Sequence, residues 1–373
     1  MESLTRRSLL KTSGLALAAG IFTNGAEALP DARGHEDLVH LNLNENAFGA
    51  SANVAPAIQR ELSRLSRYGD NKAAQDLTEQ IAAYERIDAD QVVLGEILGA
   101  LGLYLGSDGG PGGEFIYSTP GYLALIDAAS HVGGVGVPVP LNERYENDLV
   151  ALQSKVSAKT RAIYLINPHN PTGTVSDSHA FKAFLGEASK QAPVIVDEAY
   201  LEFTQDFEAR SAVSLVRDGA NVLVFRTFDK IHGLAGLPIG YTLVPKKLGA
   251  TLRGQGLGDA ESLGRLNMAA ASAALADKQH VETVRATVAS ERKKWLALLE
   301  QLHLPHTNSG ANFIFFDAGR PHDDVAKPML DRGIQIARAF PPYNNWVRIT
   351  IGTAAENDKA RRALQQVLKP GTV

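Results

Sequence analysis

The chain has 373 residues, 45% of them hydrophobic and 21% charged, which is enough for one large domain with a smaller companion and excludes disorder as the main state. Lysine and arginine number 37 against 41 aspartates and glutamates, a net charge of -4, so nothing is in excess to neutralise a phosphate backbone and nucleic-acid binding is not expected. The absence of cysteine excludes disulfides, thiolate catalysis and cysteine-based zinc sites, and leaves the chain indifferent to an oxidising compartment.

In chain order, residues 1–28 read as an address. Thr5-Arg6-Arg7-Ser8-Leu9-Leu10-Lys11 leads into a weakly apolar stretch over 13–22, and Ala26-Glu27-Ala28 offers a small-residue cleavage site. The apolar stretch falls well short of the roughly 20 residues that a spanning helix needs. The segment resembles a twin-arginine (Tat) signal peptide; the competing reading is a basic amphipathic helix or a short anchor. The resemblance implies the Tat export machinery as a partner, no stable membrane anchor after signal removal, and a periplasmic or otherwise exported protein that acquires its cofactor before crossing.

Beyond residue 90, short β-branched or apolar runs bounded by Gly, Pro and Asn recur at 92–94, 114–118, 134–139, 161–166, 194–196 and 221–225, with helical patterns between them. Strands alternating with helices predict an α/β fold, a large domain whose mostly parallel sheet is covered by helices on both faces. Ligand sites in such sheets lie at the carboxyl ends of the strands. From about Asp259 the texture changes: a long helix is expected over 280–302, strands at 312–317 and 346–350, and a last helix near 356–368. That predicts a smaller α+β domain over 259–373, a large domain over 61–258, and an N-terminal arm over 29–60 that joins the small domain.

Three segments carry candidate chemistry. Asn167-Pro168-His169-Asn170-Pro171-Thr172-Gly173-Thr174 follows a strand and by itself reads equally as a turn. Val194-Ile195-Val196-Asp197-Glu198-Ala199-Tyr200 puts a carboxylate at the end of a buried strand, where it asks for a cation; a helix cap or a structural ion pair would also account for it. The third runs from Val222 to Lys230 and onward to Gly233-Leu234-Ala235-Gly236-Leu237, a strand followed by a lysine and a Gly-rich turn, and a lone lysine is most often a surface residue.

Taken in this order and at these separations, the segments resemble the fold-type-I pyridoxal-phosphate aminotransferases of class I/II. The similarity is greatest to the branch holding histidinol-phosphate aminotransferase and the cobalamin-pathway threonine-phosphate decarboxylase. It extends from Asn44-Glu45-Asn46 to Arg348-Ile349-Thr350-Ile351-Gly352-Thr353. It implies a seven-stranded-type sheet and pyridoxal 5'-phosphate as cofactor, with Lys230 as the Schiff-base lysine that then moves the proton from Cα. Asp197 would pair with the pyridinium nitrogen, Asn170 and Tyr200 would bond the ring oxygen, and Tyr122 would stack on the ring. Arg348 would clamp the substrate carboxylate, and Asn46 would line the substrate side. Tyr68 matches a tyrosine that reaches the cofactor phosphate of a partner subunit, which implies a homodimer.

The phosphate end departs from the family pattern. Where relatives carry a Gly-x-Gly-Ser loop, a Ser before the lysine and an Arg after the glycine-rich turn, this chain has Gly95-Glu96-Ile97-Leu98-Gly99-Ala100, Asp229 and Pro238. A carboxylate at Asp229 would repel a phosphate by about 4 kcal/mol per unit charge at 4 Å in an effective dielectric near 20. Helix-start amides at Leu98, Gly99 and Ala100 are expected to hold the phosphate instead, with Thr227, Tyr68 and Arg226 supplying the rest.

The expected reaction is transfer of an amino group between an amino acid or related amine and a 2-oxo acid. Decarboxylation, elimination or oxidation on the same fold is the alternative, and a catalytically dead exported binding protein is a third. Arg338 occupies the place of an arginine that would hold a second substrate anion, as in histidinol phosphate. Export argues for a free amino acid, because a phosphorylated intermediate does not cross a hydrocarbon core unaided. His169 and His232 lie close enough to the motifs to shape the pocket or to be polar neighbours of it. No metal is expected.

Overall fold

The computed structural model describes residues 38–108 and 112–368, so the leader-like segment 1–28 lies outside the described residues. In chain order the strands are β1 (Val39–Leu41), β2 (Val92–Leu94), β3 (Glu114–Thr119), β4 (Val135–Pro140), β5 (Thr160–Ile166), β6 (Val194–Asp197), β7 (Val222–Thr227), β8 (Gly240–Leu243), β9 (Phe313–Asp317), β10 (Ile334–Ile336) and β11 (Trp346–Thr350). Seven of them form one sheet in the order β2-β8-β7-β6-β5-β3-β4. Neighbours from β7 through β4 run parallel, and β8 runs antiparallel to both β7 and β2.

The central strands are continuous apolar runs because helices cover both of their faces. Alternate residues divide between two cores. Ile163, Leu165, Val194, Val196, Val222 and Val224 pack with Leu77 and Ile81 of helix Asn71–Glu85 and with Phe181 and Leu185 of helix Ser178–Ala188. Tyr164, Ile166, Ile195, Leu223 and Phe225 face Leu101 and Leu105 of helix Leu98–Ser107.

β8 has no counterpart among the expected strands: it begins on a glycine just after a Gly- and Pro-containing turn, in a stretch that reads as loop. Its place decides that of Lys230. Thr227 pairs with Gly240, and Phe228 N–H donates to Ile239 O at 3.0 Å, so residues 228–239 close a hairpin-like connection anchored at both ends.

Arg226 also departs from expectation. On β7 its side chain emerges opposite to that of Thr227, into the helix-covered core, where it is 2% exposed. It pairs there with Glu85 at 3.2 Å and Glu198 at 3.0 Å, and donates to Ser211 Oγ at 3.0 Å. A guanidinium so enclosed is unavailable to a phosphate on the other face. His232 joins the same buried group, 3.7 Å from Glu202, and burial lowers its pKa.

The remaining strands make two small sheets, β1 with β10 and β9 with β11. Trp295 of helix Lys278–Gln301, Phe313, Phe316, Val347, Ile349 and Leu364 of helix Ala354–Leu368 form their core. Helix Arg265–Ala276 packs with the large-sheet core through Met268, Ala270, Ala271 and Ala274. The change of packing thus comes near Asp277, later than the change of texture at Asp259. Among the described residues, no helix is long and apolar enough to cross a membrane.

Candidate active site

β5, β6 and β7 end side by side, with Asp197 in register between Ile166 and Phe225. All three candidate segments therefore leave the sheet at one carboxyl edge. The Asn-Pro-rich loop is tied down rather than free. Asn167 Oδ1 accepts from Ser176 N–H at 2.9 Å, and Gly173 N–H donates to His169 O at 2.6 Å. Gly173 has φ +72° and an added Cβ would lie 2.1 Å from Ser309 Oγ, so only glycine fits where the loop turns back. His169 is buried in this loop and burial lowers its pKa to about 3, so its ring is neutral there.

Asp197 is 4% exposed. Its Oδ2 accepts from Tyr164 O–H at 3.0 Å and its Oδ1 from Ala199 N–H at 3.0 Å. Burial raises its pKa to about 6, against the lowering by these two bonds and by the charge of Lys230. The cation it has in this chain is too little to restore an ordinary carboxylate, which is the environment expected of a group built to face a further positive charge. Tyr164 was not among the expected site residues; its parity on β5, matching Ile166 beside Asp197, was the available signal.

Lys230 is partly buried, at the start of the turn closed by Gly233 N–H to Lys230 O at 3.0 Å. Its charge reaches Asp197, Glu96 and Asp229. Gly233 has φ +72° and a Cβ there would stand 2.5 Å from Gly49 O, so the turn lies directly on the N-terminal segment. Asn46 secures the same contact, donating to Ile231 O at 2.8 Å and to Gly49 O at 3.3 Å. Its amide is thereby engaged in holding the lysine turn.

Tyr200 O–H receives bonds from Asn44 Nδ2 at 3.2 Å and Asn170 Nδ2 at 3.5 Å. Asn170 Oδ1 accepts from Arg348 Nη1 at 2.6 Å, and Arg348 Nη2 donates to Asn42 O at 2.8 Å. Burial lowers the pKa of Arg348 to about 10, still well above neutrality, and its Nε is buried without a hydrogen-bond partner among the described residues. An anion would supply that partner. Phe340 lies under Arg348 at 4.8 Å and under the exposed Arg338 at 4.7 Å, so both arginines share one aromatic wall.

Tyr122 follows β3 and is 47% exposed. Loss of solvation at its hydroxyl, with the charges of Asp197 and Glu96, pushes its phenol up to about 12. Leu98, Gly99 and Ala100 open helix Leu98–Ser107, whose N-cap residue Ile97 offers no side-chain bond. Their N–H groups are helix-start donors without intrahelical partners, and an added Cβ on Gly99 would meet nothing within 4 Å. Thr227 is buried at the end of β7, where its Oγ1 accepts from Asp229 N–H at 3.0 Å. Tyr68 is 84% exposed, Leu65 58% and Leu62 49%.

The family model for aminotransferase class I and II matches residues 36–364. The chain belongs to this family. It is 32% identical over 343 residues to a histidinol-phosphate aminotransferase of Moorella thermoacetica, covering 90% of this chain and 86% of that protein. It is 31% identical over 338 residues to an aromatic amino acid aminotransferase of Cutibacterium acnes, with 90% and 94% covered. The crystal structure of histidinol-phosphate aminotransferase from Sinorhizobium meliloti in complex with pyridoxal-5'-phosphate aligns with a TM-score of 0.83 at 27% identity, over 99% of each chain.

This aminotransferase is thus a pyridoxal-phosphate-dependent transaminase on the fold-type-I α/β architecture. The residues present fit the ring of that cofactor: Asp197 is a shielded carboxylate awaiting a cation, beside Tyr122 and the Asn170–Tyr200 pair. The phosphate end fits through the unbonded amides of 98–100 and is opposed by Glu96 and Asp229. No group of three His, Cys, Asp or Glu residues suited to a metal occurs among the described residues.

The raised pKa of Asp197 sets a stability test on the cofactor-free chain. Between 3.8 and about 6 the folded state keeps a proton that the unfolded chain has released, so stability falls as pH rises through that window. The penalty is full above it, about 3 kcal/mol. Asp197→Asn is therefore expected to raise the melting temperature of the cofactor-free protein at pH 8 and leave it unchanged near pH 3.5. Equal melting temperatures at both pH values would refute this account of the carboxylate.

Proposed function

We propose that Lys230 is the amine that carries the cofactor in this transaminase, and that the substrate lies between it and Arg348. The observation that carries this reading is the convergence of Asn170, Asp197 and Lys230 at the ends of three adjacent parallel strands, with Arg348 bonded to the first of them. When bound, pyridoxal phosphate supplies an aldehyde that condenses with amines and a ring that accepts the electron pair left at Cα.

The chain's own residues do the rest. Asp197, with little solvent to screen it, would hold a proton on the ring nitrogen. Asn170 and Tyr200 would bond the ring oxygen, and Tyr122 would cover a ring face. Lys230 Nζ, as a free amine, would take the proton from the substrate's Cα. Arg348 presents its Nε and one Nη to a carboxylate, satisfying the donor left unpaired in the free site. Arg338, over the same ring as Arg348, adds positive potential where a second anionic group of the substrate would lie.

The expected substrates are free amino acids and 2-oxo acids. Borohydride reduction in the presence of cofactor should place the adduct on Lys230, and Lys230→Ala should lower transamination by on the order of 10³-fold. Arg348→Gln is expected to lower kcat/KM for amino acids by about 100-fold, roughly 2.7 kcal/mol. A panel of amino acids with histidinol phosphate, assayed with and without a 2-oxo acid, reads the reaction directly. Ammonia, CO2 or peroxide formed without an acceptor would overturn transamination as the main reaction.

Two assignments extend this reading. The exposed Leu62, Leu65 and Tyr68 form an apolar patch suited to a second copy of the chain, with Tyr68 reaching the partner's cofactor phosphate. Mixing inactive Lys230→Ala with weakened Tyr68→Ala chains should regenerate activity through one intact site per mixed dimer; no recovery after subunit exchange would count against a shared site. The Arg6-Arg7 leader supports export through the twin-arginine pathway. Replacing both arginines by lysine should retain the protein in the cytoplasm, and unchanged export would refute that route.

A further inference from the structure

The acidic end of the site supports an inference that rests on the reading of Lys230 as the cofactor-bearing amine. The carboxyl of Glu96 lies against β8, where a Cβ on Gly240 would come within 2.6 Å of its Oε1. Gly240 is paired with Thr227, and Glu96 and Asp229 both come within reach of the Thr227 hydroxyl. That hydroxyl already accepts Asp229 N–H at 3.0 Å and has one proton to offer. One of the two carboxyls is left without it, and Asp229 Oδ1 is buried with no hydrogen-bond partner among the described residues.

The charged and titratable neighbours are few. Lys230 comes from the same loop, Asp197 from the end of β6 and Tyr122 from the turn after β3, while residues 98–101 of the facing helix carry no charge. One ammonium therefore faces three carboxyls before a phosphate dianion enters. Two carboxyls sharing one site do not both ionise readily, and a phosphate placed beside them makes full ionisation still less favourable.

We propose that Glu96 and Asp229 share one proton when the cofactor is bound and donate it toward the phosphate, so that this transaminase couples pyridoxal-phosphate binding to proton uptake. A protonated carboxyl is a hydrogen-bond donor, and so replaces in kind the side-chain donors missing at positions 229 and 238. Glu96 is exposed in the free chain, while the protein packed around its carboxyl, and then Asp229, raise its pKa above the ordinary carboxylate range. Where the free chain has released the proton, each cofactor bound must draw one from solvent, and affinity falls about tenfold per pH unit.

The test is calorimetric titration of the full chain with pyridoxal phosphate, from about pH 7 to about pH 9.5, in two buffers of different ionisation enthalpy. Wild type is compared with Glu96→Gln and Asp229→Asn, and pyridoxal, which lacks the phosphate, serves as the second ligand. At the alkaline end wild type should take up about one proton more per cofactor than either variant, and its Kd should rise about tenfold more per pH unit. With pyridoxal these differences should vanish. Equal proton uptake in all three proteins, a loss in only one variant, or a difference that persists with pyridoxal would overturn the coupling while leaving Lys230 in its role. Absence of saturable binding in every protein would overturn both readings.

Discussion

A carboxylate that is 4% exposed at the end of a central strand is the constraint to which the rest of this site answers. Asp197 has two hydrogen bonds and a lysine in range, and still its proton is released only near pH 6. Low dielectric makes an unmatched charge expensive and a matched one strong. The same burial that destabilises the cofactor-free chain would give a pair with a ring cation its strength. Tyr164 and the Ala199 amide fix the direction in which the carboxylate points.

β7 keeps two sets of charges apart by strand parity alone. Arg226 turns into the helix-covered core and is consumed by Glu85, Glu198 and Ser211. Thr227, one residue on, turns to the side of helix Leu98–Ser107 and meets the site's carboxyls. A strand reverses its side chains at each residue, so neighbours in sequence serve a structural ion cluster and a chemical site without mixing. The connection to β8 then holds Lys230 from both ends, and Gly233 and Asn46 seat that connection on the N-terminal segment.

The site draws on both sheet systems. Asn170, Asp197 and Lys230 belong to the seven-stranded sheet, while Arg348 comes from β11 and Asn44 from the segment after β1. Bonds from Arg348 to Asn170 and from Asn44 to Tyr200 join the two. A substrate anion binding Arg348 would thus act on residues of both bodies. The unsatisfied Arg348 Nε and the unbonded amides at 98–100 are the donors this free site leaves open at its two ends.

By itself the amino-acid sequence determined the alternation of strands and helices, the strand at 92–94, the carboxylate ending a buried run, and the order Asn170, Asp197, Lys230, because apolar periodicity and turn residues are local properties. The seven-stranded sheet and the family followed from that order. β8 was not legible, since Gly240-Tyr241-Thr242-Leu243 follows directly on a Gly- and Pro-containing turn that reads as loop. Nor was the fate of Arg226, which as a neighbour of the lysine turn looked available to a phosphate until side-chain parity and burial placed it among glutamates. Tyr164 beneath Asp197, the threonine shared by Glu96 and Asp229, and Phe340 between two arginines were decided only by tertiary structure. Tyr164 with Asp197, and Glu96 with Thr227, join residues far apart in the chain, and the charge state of a carboxyl depends on what is packed against it rather than on what precedes it.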